Sequence, residues 1–191
     1  SLSIVFNGEI YNFRALREEL QRAGAQFTTD HSDTEVLLHG WRHWGPALFA
    51  RLNGMWALAL HDRSKRQLIL SRDRFGKKPL YYHAGEAFVF ASELSAMRLH
   101  PATPTQRSEI ALRKYFGYGF IPAPHTLLRD VHKLPAGHTL TLHLCSGDAH
   151  IDRYWRYEPI ADATLGTRSI TDVSEELMAR LDAAVARRLV A

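Results

Sequence analysis

At 191 residues, 46% hydrophobic and 23% charged, the chain can build one sizeable core, or one core and the beginning of another. Its formal charge of +4 comes from Arg and Lys scattered among Asp and Glu. With no run of five like charges and no aromatic-basic alternation, no nucleic-acid partner is expected. No stretch approaches the ~20 apolar residues of a membrane span, so no membrane partner is expected either. The single Cys145 excludes an internal disulfide framework and fits a reducing, cytoplasmic setting.

Leu2, Ile4 and Phe6 alternate with Ser3 and Asn7, which predicts a half-buried strand that stops at Gly8. A helix follows, with Asn12 as its N-cap, a stripe of Phe13, Leu16, Leu20 and Ala23, and Gly24 as its left-handed stop. Ser32-Asp33-Thr34-Glu35 has the spacing of a capping box and opens a second helix through Val36, Leu37, Leu38 and Trp41, ending near Gly45-Pro46. After a short helical stretch around Leu48 and Leu52 come four strand-like runs: Met55 to Leu60, Leu68 to Leu70, Leu80 to Tyr82 and Phe88 to Phe90. Their connections are too short for parallel crossovers, so the pairing must be antiparallel.

Helical segments are expected over Leu94 to Leu99 and Ser108 to Tyr115, then a Pro-rich loop from Phe120 to Pro124. Thr139 to Leu144 and Ile151 to Tyr154 bracket a turn at Cys145-Ser146-Gly147-Asp148 and predict a hairpin. Glu158 to Ser169 has linker composition, and Thr171 opens a long helix with the stripe Val173, Leu177, Leu181 and Val185. His39 and His43 share the i, i+4 spacing of a metal pair, but no Glu follows His39 to make H-E-x-x-H, and packing or surface roles are the better reading. No phosphate-loop pattern is present at Gly117 or Gly119.

Seven segments stand out in order: F-N-G-E-I-Y-N at Phe6 to Asn12, S-D-T-E at Ser32 to Glu35, L-N-G-M-W-A at Leu52 to Ala57, R-D-R-F-G-K-K-P-L-Y at Arg72 to Tyr81, F-A-S-E at Phe90 to Glu93, G-F-I-P-A-P-H-T at Gly119 to Thr126 and K-L-P-A-G-H at Lys133 to His138. Together they resemble the glutamine-hydrolysing asparagine synthetase family of class II glutamine amidotransferases. The last two favour that group over amidotransferases that make glucosamine phosphate or start purine synthesis. The resemblance implies an α+β fold, an N-terminal-nucleophile-type four-layer αββα sandwich with antiparallel sheets. Residues 1–155 would be a glutaminase domain lacking its N-terminal segment, and 156–191 a linker with the first helix of a synthetase domain.

By the same resemblance, the parent enzyme hydrolyses glutamine and passes ammonia to a second site, where ATP and Mg2+ serve the amidation of aspartate to asparagine. A homodimer is compatible with it. Amide hydrolysis needs preorganised donors for the tetrahedral oxyanion, and the resemblance gives that role to the Asn7 side-chain amide and the Gly8 backbone N–H. Asn7, Gly8, Glu9 and Asp33 match the family's glutamine-binding positions. Each also has a plainer reading: Asn-Gly is a common turn, and an acid in the first turn of a helix is favoured by the dipole with no ligand present. Arg72-Asp73 and Glu93 are read as mainly structural. No ATP-binding residue is assigned, because the Ser-Gly-Gly-rich loop expected in the family is not among these residues. An amidotransferase with another acceptor, or a catalytically silent scaffold, are the alternatives.

The family nucleophile is a cysteine whose own α-amine is the base, and the chain opens at Ser1. Losing the nucleophile of a catalytic unit costs on the order of 10⁶ in rate. The expected outcome is therefore that the purified 191-residue chain releases no ammonia from glutamine above a buffer blank; turnover would overturn this expectation.

Overall fold

The computed structural model describes residues 1–189; residues 190 and 191, the end of the expected second segment, lie outside the described residues. In β1 (Leu2–Ile10), Leu2, Ile4, Phe6 and Ile10 pack on one face while Ser3, Val5 and Asn7 lie exposed on the other. The strand runs two residues beyond Gly8, where the sequence pattern stops it. Gly8 faces Trp56 across the ladder at a separation only glycine allows: a Cβ there would stand 2.2 Å from the Met55 carbonyl oxygen.

In α1 (Phe13–Arg22), Phe13, Leu16 and Leu20 are buried, and Gly24 ends the helix at φ +94°. Ala23 is exposed, outside the stripe. Asn12 does not cap it through its side chain. That amide is engaged elsewhere, with Nδ2 donating to the Arg51 carbonyl at 3.0 Å and Oδ1 accepting from the Asn53 N–H at 2.8 Å. In α2 (Asp33–Trp44) the Ser32 hydroxyl accepts from the Glu35 N–H at 3.1 Å, which is one half of the capping box. The Glu35 carboxylate turns away to hold the preceding loop. α3 (Leu48–Arg51) then leads into the sheet.

β2 (Gly54–Asp62), β3 (Gln67–Arg72), β4 (Tyr81–Ala84) and β5 (Phe88–Ala91) correspond to the four predicted strands, and all pair antiparallel. They do not form one meander, because the chain crosses between two sheets after β3. α4 (Leu94–Met97) and α5 (Glu109–Tyr118) come next, then β6 (His132–Lys133), too short for alternation to reveal, and the predicted hairpin β7 (His138–His143) and β8 (Ala149–Arg153). The large sheet has the order β1-β2-β3-β7-β8 and the small one β5-β4-β6.

Three apolar clusters define the layers. Trp56, Leu58, Leu60 and Ile69 pack beneath α1, α2 and α3; Ala57, Ala59, Leu70 and Leu140 meet Leu80 and Tyr82 between the sheets; Tyr81, Val89 and Ala91 meet Met97 of α4. Strand alternation sends neighbouring residues of β2 into different layers, and the alanines leave room for the second sheet. The result is an α+β sandwich of four layers, αββα. α6 (Ile170–Arg188) is capped by Ser169, whose hydroxyl accepts from the Asp172 N–H at 3.1 Å, in place of the expected Thr171. None of its residues is buried. No described helix is long and apolar enough to cross a membrane.

Two carboxylates link this packing to pH. Burial alone would raise the pKa of Asp62, but donors from Ser64, the Trp41 indole and the Lys65 N–H outweigh it and bring the group down to about 2. Glu35 is lowered to about 2 chiefly by the Thr28 N–H, with the Thr29 hydroxyl. Because both folded values lie below the ordinary ones, their contribution is fully present above pH ~4.5 and is lost as pH falls toward ~2. Urea midpoints measured across that range should fall progressively, and Asp62→Asn should flatten the fall; an unchanged slope in the variant would remove Asp62 from the account.

Candidate active site at the sheet edge

β1 is an edge strand of the large sheet, and its register decides which backbone groups are free. The Tyr11 N–H donates to the Asn53 carbonyl at 2.8 Å and the Arg63 N–H to the Ser1 carbonyl at 3.2 Å. Both pairs lie in register with the ladder, so odd-numbered residues of β1 exchange hydrogen bonds with β2. Even-numbered ones turn their N–H groups to the open edge. Among the described residues Gly8 N–H is therefore an unpaired donor directed out of the sheet. Ile10 N–H faces the same way and is met by Asp33 Oδ2 at 3.2 Å.

That contact brings three consecutive strand residues, Asn7, Gly8 and Glu9, together with the first residue of a helix 23 positions after Ile10. The Asn7 side chain, exposed on the inter-sheet face, borders a cleft of about 140 Å³ between Val5 and Ala59 on the large sheet and Leu80, Phe90 and Ala91 opposite. Glu9 spends its backbone groups on Met55 in the ladder, which leaves its half-buried carboxylate as the group available to a ligand. Two acids, one free N–H and one carboxamide thus share a short stretch of edge.

The supports are equally local. Glu35 accepts from the Thr28 and Thr29 N–H groups at 2.6 and 2.9 Å, clamping the loop that delivers Asp33. The Arg17 guanidinium donates to the Thr29 carbonyl and lies 4.3 Å from the Phe27 ring centre. Behind β1, the Trp56 N–H meets Asp73 Oδ2 at 3.3 Å, and the Asp73 carboxylate also accepts from the Phe75, Lys77 and Lys78 N–H groups. Arg72 donates to the carbonyls of Gly76, Lys78 and Leu134. Both residues therefore bond within the scaffold, and Glu93 accepts from the Ser95 hydroxyl at 3.0 Å.

Asn53 and Gly54 belong to the site's frame and were not singled out from sequence. A Cβ on Gly54 would stand 2.2 Å from the Glu9 carbonyl oxygen, so L-N-G and N-G-E lie close, with Gly54 opposite Ile10 and Gly8 opposite Trp56. The segment L-N-G-M-W-A was the available signal. His39 lies against Phe27 at 4.4 Å and 3.7 Å from Glu35, and His43 packs edge-on to Trp44. Cys145 is exposed in the β7–β8 turn, three strand spacings or ~14 Å across the sheet from β1.

A family model described as a glutamine amidotransferase domain matches residues 1–155. The chain is 35% identical over 190 residues to asparagine synthetase [glutamine-hydrolyzing] 3 of Bacillus subtilis, covering 98% of this chain and 30% of the relative. It is 42% identical over 140 residues to a putative asparagine synthetase [glutamine-hydrolyzing] of Mycobacterium tuberculosis H37Rv, covering 70% of this chain and 21% of the relative. Thus the chain spans less than a third of the length of these curated relatives. Among solved structures, glutamine phosphoribosylpyrophosphate amidotransferase from B. subtilis superposes with a TM-score of 0.56 at 24% identity, covering 82% of this chain and 30% of that one. At that identity the likeness speaks for the fold alone.

The close strand approach at Gly8 and Gly54 generates a stability prediction. Gly8→Ala should force β1 and β2 apart and cost about 1–3 kcal/mol, as overpacking does. Gly117→Ala, where a Cβ meets nothing within 4 Å, is the control, expected to be neutral or slightly stabilising. Urea denaturation of both variants checks it, and equal midpoints would contradict the close approach.

Proposed function

The chain belongs to the glutamine amidotransferase domain family, and from that premise we propose that the β1 edge is the glutamine site of a glutamine-hydrolysing asparagine synthetase. The observation that carries this reading is the pairing of the outward Gly8 N–H with the Asp33 carboxylate held two residues further along the same edge. Two residues of strand span ~6.8 Å, which suits a ligand with an amide at one end and an α-ammonium at the other. Asn7 and Gly8 would donate to the carbonyl oxygen as it becomes an oxyanion; Asp33 and Glu9 would hold the ammonium.

In this reading a thiolate adds to the glutamine amide carbon, and the tetrahedral intermediate collapses with loss of ammonia to a thioester. Water then releases glutamate. Cys145 is not that nucleophile, since it stands at the far side of the sheet and lacks a free α-amine. Within these 191 residues no side chain is assigned the role of nucleophile, and none is assigned to aspartate, ATP or magnesium. Among the described residues no group of three His, Cys, Asp or Glu is arranged to hold a metal ion.

The test uses the protein with its N-terminal nucleophile in place. Asp33→Asn should raise KM for glutamine on the order of 10- to 100-fold, the size of a hydrogen bond to a charged group. Asn7→Ala should lower kcat by ~10²–10³ as an oxyanion donor does. Asparagine formation from free ammonia should survive both. Unaltered glutamine kinetics in both variants would refute the assignment, and loss of the ammonia-driven reaction as well would mark a fold defect.

A further inference from the structure

The large sheet has a second open edge, at β8, which the glutamine reading does not use. The His143 N–H donates to the Asp148 carbonyl at 2.9 Å and the Tyr154 N–H to the Gly137 carbonyl at 2.9 Å, both in register with the β7–β8 ladder. Even-numbered residues of β8 therefore bond inward to β7. Ala149, Ile151 and Arg153 turn their N–H and C=O groups out of the sheet. Among the described residues these three N–H groups find no other backbone partner. All five residues of the strand are exposed, so no described helix or loop covers it.

At β1 a carboxylate, Asp33, takes an outward N–H and interrupts the edge; β8 has no such block, and its sequence A-H-I-D-R holds no Pro, Gly or Lys. Its side chains divide by face. Ile151 stands opposite Leu140 on the inter-sheet face, yet it is 41% exposed where Leu140 is buried. The other face carries His150 and Asp152, opposite Thr141 and Thr139, with the imidazole Nε2 2.8 Å from Asp152 Oδ1. A base and an acid placed symmetrically about Ile151 make a pattern that is its own complement when the strand is read in the opposite direction.

We propose that β8 is the contact surface for a second copy of this chain, the two strands pairing antiparallel about a two-fold axis at Ile151. In that register Ile151 faces the partner's Ile151, the outward groups of Ala149 meet those of the partner's Arg153, and every outward N–H finds a carbonyl. His150 faces the partner's Asp152 at a non-hydrogen-bonded position, where Cα atoms come within ~4.5 Å. An imidazole beside a carboxylate attracts it whether neutral or charged. Neighbouring registers are opposed by charge: an axis at His150 sets Asp148 against Asp152, and an axis at Asp152 sets that residue against itself. The side chains thus select one register and one partner, a copy of the same strand in preference to an unrelated one. A five-residue strand pair buries less than a lasting complex needs, so the dimer is weak, with Kd on the order of 10–100 µM. Nothing in this contact rests on the glutamine reading.

The experiment is analytical ultracentrifugation of the 191-residue chain from ~5 µM to ~1 mM, a range that brackets such a Kd. A monomer–dimer equilibrium is expected. His150→Asp sets acid against acid at both symmetry-related contacts and should weaken the dimer at least ~10-fold. Combining His150→Asp with Asp152→His exchanges the two groups and should return Kd to within ~3-fold of its original value. Ile151→Pro removes an outward N–H while leaving the bonds to β7 in place, and should abolish the dimer. Far-UV circular dichroism like that of the parent chain confirms that each variant is folded. A chain that stays monomeric throughout would overturn the proposal. So would association that His150→Asp leaves undiminished, as a contact through the exposed stripe of α6 would be, or a double exchange that restores nothing.

Discussion

A single buried carboxylate holds the two sheets in register. Asp73 is 1% exposed and, among the described residues, no cation pairs with it; its carboxylate is met by four backbone N–H groups, from Trp56, Phe75, Lys77 and Lys78. An ionised carboxylate in such a place is tolerable only when its lone pairs are filled. Those N–H groups come from β2 and from the turn that carries the chain out of the large sheet toward the small one. Arg72 does the reciprocal work on the acceptor side, taking the carbonyls of Gly76, Lys78 and Leu134. The Tyr154 hydroxyl donates to the Arg72 carbonyl at 2.6 Å from the strand end opposite. One adjacent pair of residues thus fixes the crossing, the entry to β4 and the return to β7. Since Trp56 faces Gly8 across the ladder, the same pair sets the frame of the β1 edge.

Much of this was legible in the sequence where a local rule governs it. Alternation gave β1 and its buried face, Gly24 ended α1, Ser32 capped α2, and short turns required antiparallel pairing. What escaped is non-local. Asn12 reads as an N-cap because Asn is a good one, but its amide finds Arg51 and Asn53 some forty residues on, and two long-range hydrogen bonds outweigh one local bond. The stop at Gly8 fails for a related reason: a glycine in a strand marks close approach of another backbone as readily as a turn. The separation of β3 and β4 into different sheets depends on Asp73 gathering donors around itself, which no periodicity records. At the candidate edge, the segment N-G-E-I-Y-N supplies Asn7, Gly8 and Glu9. That Asp33 meets the same edge through Ile10 N–H required the fold.

The surface divides along similar lines. Aromatic side chains of α5 and the loop after it, Phe116, Tyr118 and Phe120, are exposed, as are Leu177, Leu181 and Val185 of α6. Neither face contributes to the three apolar clusters, so neither is needed for the sandwich to hold. The contrast with β2 is instructive, because there alternate residues are buried on both faces and even the spacing of alanines is set by a neighbour. α6 comes after the linker-like stretch and meets the sandwich at Tyr11, where the Arg188 guanidinium lies 5.0 Å from the ring centre. An exposed contact of that kind is worth ~0.5–1 kcal/mol, too little to seat a 19-residue helix by itself.

An edge strand is ordinarily a liability, since its unpaired N–H and C=O groups invite another strand. Here part of that edge is blocked. Asp33 occupies the Ile10 N–H with a side chain, so a strand adding along β1 cannot continue the ladder past Gly8. The Gly8 N–H remains, bounded on one side by a carboxylate and on the other by the Asn7 carboxamide. A donor left open beside an acid discriminates among ligands in a way a continuous edge does not: it favours a short molecule that brings an acceptor and a cation at fixed separation. The glycines at 8 and 54 make this geometry rigid, because the two strands approach too closely there to admit any side chain and cannot shift without breaking the bonds that Asp73 holds behind them.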